Sequence, residues 1–385
     1  MIIKPAHRTQ SVKEYYFSRK NREIATMNAD GRSVKVINLG IGSPDGMPPE
    51  AAVETLRSVA LRSDAHKYQS YNGIPELREA FTRWYARYYS VRLDPTTQIQ
   101  PLTGSKEGIL LICLAFLDKG DKILIPDPGY PTYSSAARLC EAEILTYDLL
   151  EENGFYPDFD ALENMDLSGV KLMFTNYPNM PTGAPATPGL YRTLVDFARS
   201  HGILVCNDNP YSFILNDAPL SILSVPGALD CCLELNSLSK AHNMSGWRLG
   251  MVAADADVIT EILKVKSQMD SGIFRGLQLA AVEALESGED WFEALNAEYR
   301  ARKVEACRIM DLLGARYRSD SQGLFVWGRV DGPAESISDK LLYEAGVFIT
   351  PGFIFGRNGV NYLRISLCAP VPVLREAYNR IERVL

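Results

Sequence analysis

The run Ser237-Leu238-Ser239-Lys240-Ala241-His242-Asn243-Met244-Ser245-Gly246-Trp247-Arg248-Leu249-Gly250 follows an apolar stretch, Cys231 to Leu235, that reads as a buried strand. A lysine at the mouth of such a strand is costly to desolvate unless it is paired or used covalently. Hydroxyl residues stand three and one positions before Lys240, and an arginine stands eight after it. Such a cluster can hold a phosphate beside an amine. Those are the needs of a pyridoxal phosphate Schiff base: an amine to form the imine and donors to hold the phosphate. The plain alternative is a solvated lysine after a strand.

Working outward, apolar runs of strand length alternate with helical patterns. Strands are predicted at Lys122 to Pro126, Glu143 to Tyr147, Val170 to Asn176, Ile203 to Asp208, Cys232 to Leu235 and Arg248 to Ala253. The helix period runs through Pro75 to Tyr89, with proline at a first helical position, and through Gly108 to Leu117 and Pro188 to Ser200. Strands alternating with helices imply an α/β fold: a mostly parallel sheet covered by helices on both faces. A long amphipathic helix, about Asp290 to Leu313, breaks this rhythm. After it Gly323 to Val330, Phe348 to Thr350 and Tyr362 to Leu367 read as a small half-exposed sheet. The expected organisation is a large domain over 46–285 and a small α+β domain built from both chain ends, 1–45 and 286–385.

Composition narrows the function. The 385 residues are 46% hydrophobic and 23% charged, ordinary for a globular enzyme, with a net charge of −7 and no long basic run. That argues against nucleic acid or an anionic membrane as partner. No apolar stretch reaches transmembrane length, and the first residues lack the apolar core of a signal peptide. Seven cysteines without a CxxC pair suit a reducing cytoplasm, and four scattered histidines suggest no metal site.

Four further runs carry chemistry. Thr103-Gly104-Ser105-Lys106-Glu107-Gly108 opens an apolar helix, where free backbone N–H groups and the positive dipole end suit an anion; an ordinary N-cap is the alternative. Asp208 ends a strand in Val205-Cys206-Asn207-Asp208-Asn209-Pro210-Tyr211, where a carboxylate can pair with a protonated pyridine nitrogen and Tyr211 can donate to a ring phenolate. A common Asp-Asn-Pro turn would look the same. Tyr130, in the Pro-rich run Pro126 to Tyr133, is a stacking platform for a flat heterocycle or an aromatic at the core edge. Arg364, in Tyr362-Leu363-Arg364-Ile365-Ser366-Leu367, needs a partner if buried: a substrate carboxylate held bidentately or a structural one.

Together these runs closely resemble the class I/II aminotransferases of fold type I, the aspartate aminotransferase-like pyridoxal phosphate enzymes. The likeness runs from Asn38-Leu39-Gly40-Ile41-Gly42-Ser43-Pro44-Asp45 to Arg364. It implies that Lys240 forms the Schiff base and moves the proton, that Asp208 pairs with the pyridine nitrogen, and that Tyr211 meets the ring oxygen. Ser105 and Lys106 with Gly104, Ser237, Ser239 and Arg248 would bind the phosphate, and Tyr130 would stack on the ring. Tyr68, in Lys67 to Arg78, would reach the phosphate of a neighbouring subunit, so that a homodimer with shared active sites is expected. Gly40, Arg364 and Tyr130 would meet the substrate. The implied reaction moves an amino group from an L-amino acid to a 2-oxo acid, 2-oxoglutarate, by a ping-pong mechanism. The same scaffold hosts C–S β-lyases and aminocyclopropane-carboxylate synthases. Pyridoxal phosphate-sensing regulators carry a DNA-binding domain first, and about 35 residues before the fold are too few for one.

One position departs from the family pattern. In Asn179-Met180-Pro181-Thr182-Gly183, Met180 stands where an asparagine normally donates to the ring oxygen. A thioether has no such donor. Tyr211 alone would hold that oxygen, or Asn176 or Asn179 would substitute. In Asp270 to Gly276, Arg275 reads as a receiver for a distal carboxylate or as a solvated or interface arginine.

Overall fold

A computed structural model describes residues 2–30 and 34–385. Among the described residues thirteen strands follow in chain order: β1 (Ile37–Asn38), β2 (Ile99–Leu102), β3 (Lys122–Asp127), β4 (Glu143–Asp148), β5 (Val170–Thr175), β6 (Leu204–Asp208), β7 (Cys232–Ser237), β8 (Gly250–Ala253), β9 (Arg316–Tyr317), β10 (Phe325–Arg329), β11 (Val347–Phe348), β12 (Thr350–Pro351) and β13 (Tyr362–Ser366). Seven form one sheet in the order β2-β8-β7-β6-β5-β3-β4. Pairing is parallel from β4 through β7, and β8 runs antiparallel to both β7 and β2.

The side-chain period of two explains how this sheet is buried on both sides. Leu124, Met173 and Val205 face one apolar cluster, with Phe81, Trp84, Leu190 and Leu194 of the Pro75–Tyr89 and Pro188–His201 helices. Their neighbours Ile123, Leu172, Phe174, Cys206 and Leu235 face the other, with Ile109, Ile112, Tyr133 and Ile262 of the Ser105–Phe116, Pro131–Leu139 and Ala256–Lys266 helices. Each fully buried Leu or Phe there contributes roughly 1.5–3 kcal/mol of apolar transfer. Because β3, β6 and β7 are parallel and β8 is reversed, Asp127, Asp208, Ser237 and the residues before Gly250 all emerge at one edge of the sheet. Leu102 pairs with Gly250 and delivers Gly104 to the same edge.

The C-terminal sheet has the order β12-β13-β10-β9. The sequence reading made it half-exposed; β13 is buried throughout and β10 everywhere but Arg329. The Glu289–Leu312 helix packs on one side of it, where Met310 Sδ lies 2.8 Å from where a Cβ on Gly328 would sit. The other side turns Phe325 and Arg364 toward the sheet edge just described. The run Phe348 to Thr350 divides: Phe348 pairs with Asn38, and Thr350 pairs with Arg364. A helix at Tyr16–Ala29, in a segment read only as polar, and strand β2 were both missed. No helix among the described residues is long and apolar enough to cross a membrane.

Candidate active site

The strand edge opens into a cavity of about 500 Å³ lined by residues from both sheets and from the N-terminal segment. Lys240, Asp208, Tyr211, Tyr130, Ser105, Lys106, Ser237, Ser239, Arg248, Gly40 and Arg364 all line it. Gly104 stands directly behind as N-cap of the Ser105–Phe116 helix. Tyr68 does not line this cavity and is 89% exposed.

Lys240 leaves β7 on one short helical turn, Leu238–Ala241, whose N-cap Ser237 accepts from Ser239 N at 3.1 Å. Its amine donates to Gly42 O at 2.5 Å. Burial, helped by the cations Arg364 and Arg248, holds that amine below the usual lysine range, against the opposing pull of Cys368 and Asp208. Asp208 has the same parity on β6 as Cys206, so it faces the cavity side of the sheet. Tyr133 donates to its Oδ2 at 2.9 Å and is itself fixed by stacking on Phe174 at 4.6 Å and 4°. Burial pushes the Asp208 carboxyl up to about 7, with Tyr133 and Lys240 pulling it down and Glu234 pushing it further up. Glu234 is on the far face of the sheet, taking donors from Tyr85 and Ser221 at 2.8 Å, Asn207 at 3.0 Å and Ile222 N at 3.1 Å.

The residues present fit pyridoxal phosphate. Asp208 Oδ1 is buried without a hydrogen-bond partner among the described residues, an orphan that a protonated ring nitrogen would satisfy. The phosphate cradle is built by close approach: Gly104 has φ +83, and a Cβ on it would fall 2.3 Å from Arg248 Nη2. Only glycine meets both demands. Ser237 and Ser239 hydroxyls lie 2.9 Å apart across from the free N–H groups of the Ser105–Phe116 helix.

Arg364 is 4% exposed and has no carboxylate partner among the described residues. Its Nη2 donates to Gly40 O at 2.8 Å, its Nη1 contacts Met180 Sδ at 3.4 Å, and its Nε is buried and unpaired. Aromatic faces surround the guanidinium, with Phe325 at 3.9 Å, Phe355 at 4.6 Å and Phe17 at 5.4 Å. Gly40 is held by Ser366, whose N and Oγ donate to Leu39 O at 2.8 Å and Ile41 O at 2.7 Å.

Neither proposed stand-in for Met180 is free. Asn176 donates to Asp208 O and accepts from Met180 N at 2.6 Å; Asn179 donates to Asn176 O at 3.1 Å and accepts from Thr182. Both amides hold the backbone of their own loop, which leaves Tyr211 as the neutral donor on that side of the cavity. Arg275 faces Glu76 at 3.5 Å and is not part of the cavity lining.

Sequence reasoning missed Tyr15, Phe17, Asn21, Tyr133, Phe325 and Phe355. The aromatic triplet Tyr15-Tyr16-Phe17 was a signal in an otherwise polar segment. Lys106 was expected to act through its backbone; it is exposed where it lines the cavity, and its ammonium lies over the Tyr15 ring at 4.6 Å, with no ion pair among the described residues.

Comparison with known proteins gives the family. A family model described as aminotransferase class I and II matches residues 34–381. The LL-diaminopimelate aminotransferase of Desulforudis audaxviator is 40% identical over 389 residues, covering 100% of this chain and 99% of its own. The apo structure of BacF from Bacillus subtilis superposes with a TM-score of 0.95 at 34% identity, covering 100% and 99% of the two chains. Aspartate aminotransferase from Thermus thermophilus with maleate gives a TM-score of 0.92 at 27% identity, over 100% of both chains.

Proposed function

Because this chain belongs to the class I and II aminotransferases, we propose that its substrates are amino and oxo acids bearing a second, distal carboxylate, with LL-diaminopimelate and 2-oxoglutarate the first pair to test. The protein is a pyridoxal phosphate-dependent aminotransferase. The observation that carries the substrate reading is Lys106: an exposed residue of the cavity lining whose ammonium lies over the Tyr15 ring, with no carboxylate partner among the described residues. Arg364 takes the carboxylate next to the reacting carbon, and Lys106 takes the far one. The names of the curated relatives point to the same class.

Bound pyridoxal phosphate supplies a carbon that takes up amines and a ring that withdraws electrons. The remaining work falls to side chains. Lys240 Nζ, whose affinity for protons is reduced by burial, takes the proton from substrate Cα and delivers it again. Asp208, braced by Tyr133, would hold the ring nitrogen through its bare Oδ1, and a positive charge there favours the ionised carboxylate. Tyr211 would donate to the ring oxygen; Gly104, Ser105, Lys106 N–H, Ser237, Ser239 and Arg248 would hold the phosphate; Tyr130 would cover the ring. The aromatic wall of Phe17, Phe325 and Phe355 keeps water from the guanidinium of Arg364.

A homodimer is part of the same reading. Tyr68, Tyr71, Met47 and Met269 are large exposed apolar side chains, and the loop carrying Tyr68 lies against the one carrying Arg275, with Gly272 close to Gln69 O. A second copy covering this surface would bring Tyr68 to its phosphate. The seven-stranded sheet draws only on 46–285 and the smaller sheets only on the chain ends, which supports two domains with those bounds. A cytoplasmic location accords with seven free cysteines.

The test is a half-reaction screen. Purified holoenzyme is mixed with single amino acids and the change in cofactor absorbance is followed. LL-diaminopimelate and L-glutamate should convert it, phenylalanine should be slower, and Lys240→Ala should show no conversion. Equal conversion by phenylalanine would refute the distal-carboxylate reading.

A further inference from the structure

We propose that Met180 sets the affinity of the substrate-carboxylate site by acting as a weak, displaceable acceptor for Arg364. This rests on Arg364 being the carboxylate anchor. A buried guanidinium with no acidic partner must place its donors somewhere. One goes to a backbone carbonyl, Gly40 O at 2.8 Å; three aromatic faces take the flat of the group; Nε has no partner. The remaining edge, Nη1, meets the thioether sulfur of Met180 at 3.4 Å. Met180 is itself buried and lines the cavity, and its backbone N–H is pinned by Asn176 Oδ1 at 2.6 Å, so its side chain departs from a fixed root.

Sulfur is a poor acceptor and a soft, easily rearranged neighbour. A carboxylate arriving at Nη1 therefore gives up little by displacing it, and gains a charge-assisted bond in a site already stripped of water. An amide at the same place would hold Nη1 more strongly and compete. Met180 is thus a positioning residue for the guanidinium: it occupies the Nη1 donor edge of Arg364 at rest and yields it to an arriving carboxylate.

The experiment compares Met180→Gln, close in shape but with an amide, and Met180→Leu, close in size but with no acceptor. The probe is maleate, a carboxylate that cannot react, titrated into holoenzyme by cofactor absorbance; KM and kcat are measured alongside. Met180→Gln should weaken maleate by about tenfold and raise KM for donor and acceptor alike. Met180→Leu should tighten maleate by about threefold, since Nη1 then has no resting partner. In both, the change should fall on KM rather than kcat. Damaged packing would move both variants in one direction, and that outcome overturns the proposal. If Met180→Gln does not fold, a structure of the wild-type protein with maleate decides: the sulfur should have left Nη1, and a retained contact overturns the proposal. Arg364→Lys separates the two layers. If it leaves maleate binding intact, the anchor reading fails; if it weakens maleate while the Met180 variants shift together, only the present inference fails.

Discussion

The two sides of the cavity are built on different principles. The floor, Asp208, Lys240, Ser237, Ser239 and Gly104, stands on the ends of parallel strands and on one helix N-terminus, with Asp208 tied to Tyr133, Lys240 to Gly42 O and Ser239 N to Ser237 by short hydrogen bonds. The wall, Tyr15, Phe17, Gly40, Phe325, Phe355 and Arg364, comes from segments far apart in the chain and is held by aromatic packing around one cation. A rigid floor suits chemistry in which a proton moves between fixed atoms. A wall with a buried arginine that has no acidic partner among the described residues, and whose Tyr15 carries the ammonium of Lys106, suits recognition of anions of differing length. The difference teaches that rate and binding are separable here: changes to the floor should lower kcat, and changes to the wall should raise KM.

The sharpest way to break that comparison is Asp208→Asn. It removes the buried counter-charge but keeps shape, and the half-reaction rate should fall about a thousandfold with little change in substrate affinity. The same variant carries a pH signature. The Asp208 carboxyl is raised by burial to about 7, above its unfolded value, so its contribution to stability is present at low pH and lost as pH rises from about 4 through 7. Denaturation of cofactor-free protein should show wild type losing about 3–4 kcal/mol relative to Asp208→Asn over that span. An identical pH dependence in the two proteins would mean that Asp208 is not a desolvated acid. Where floor and wall meet, at the Lys106 ammonium over Tyr15, Lys106→Ala should cut kcat/KM about tenfold for LL-diaminopimelate and 2-oxoglutarate and leave phenylalanine within about twofold. A uniform loss would place Lys106 with the phosphate cradle instead. The smallest effect is expected from Tyr133→Phe, which strips one donor from Asp208. A fall in kcat of about fivefold with unchanged KM would place Tyr133 with the floor.

The floor was also the legible side. Asp208, Tyr211, Lys240 and Arg248 sit in short runs where polar residues interrupt strand-like apolar ones, and desolvation cost makes such interruptions informative. The parallel sheet followed from alternating strand and helix periods, and the Pro75–Tyr89 helix ends where the period ends. The wall left fewer marks. Phe17 and Phe325 look like ordinary core aromatics until the fold brings them to one arginine. Tyr133 falls three residues after Tyr130 on a helix that opens with Pro131, so its apolar ring reads as packing while its hydroxyl braces Asp208. Strand β2 was missed because Ile99-Gln100-Pro101-Leu102 carries a polar residue and a proline, and it forms only as the antiparallel edge beside β8. The helix at Tyr16–Ala29 has few apolar residues; Tyr16, Ile24 and Met27 pack in a small cluster with Val36, Leu342 and Phe348, while Phe17 turns to the cavity.

The separation of floor from wall is tested most directly by single-turnover kinetics of Arg364→Lys with L-glutamate, followed by cofactor absorbance over a wide range of substrate concentration. The saturating rate should stay within about threefold of wild type while the apparent dissociation constant rises about a hundredfold. A collapsed saturating rate with unchanged apparent affinity would contradict it.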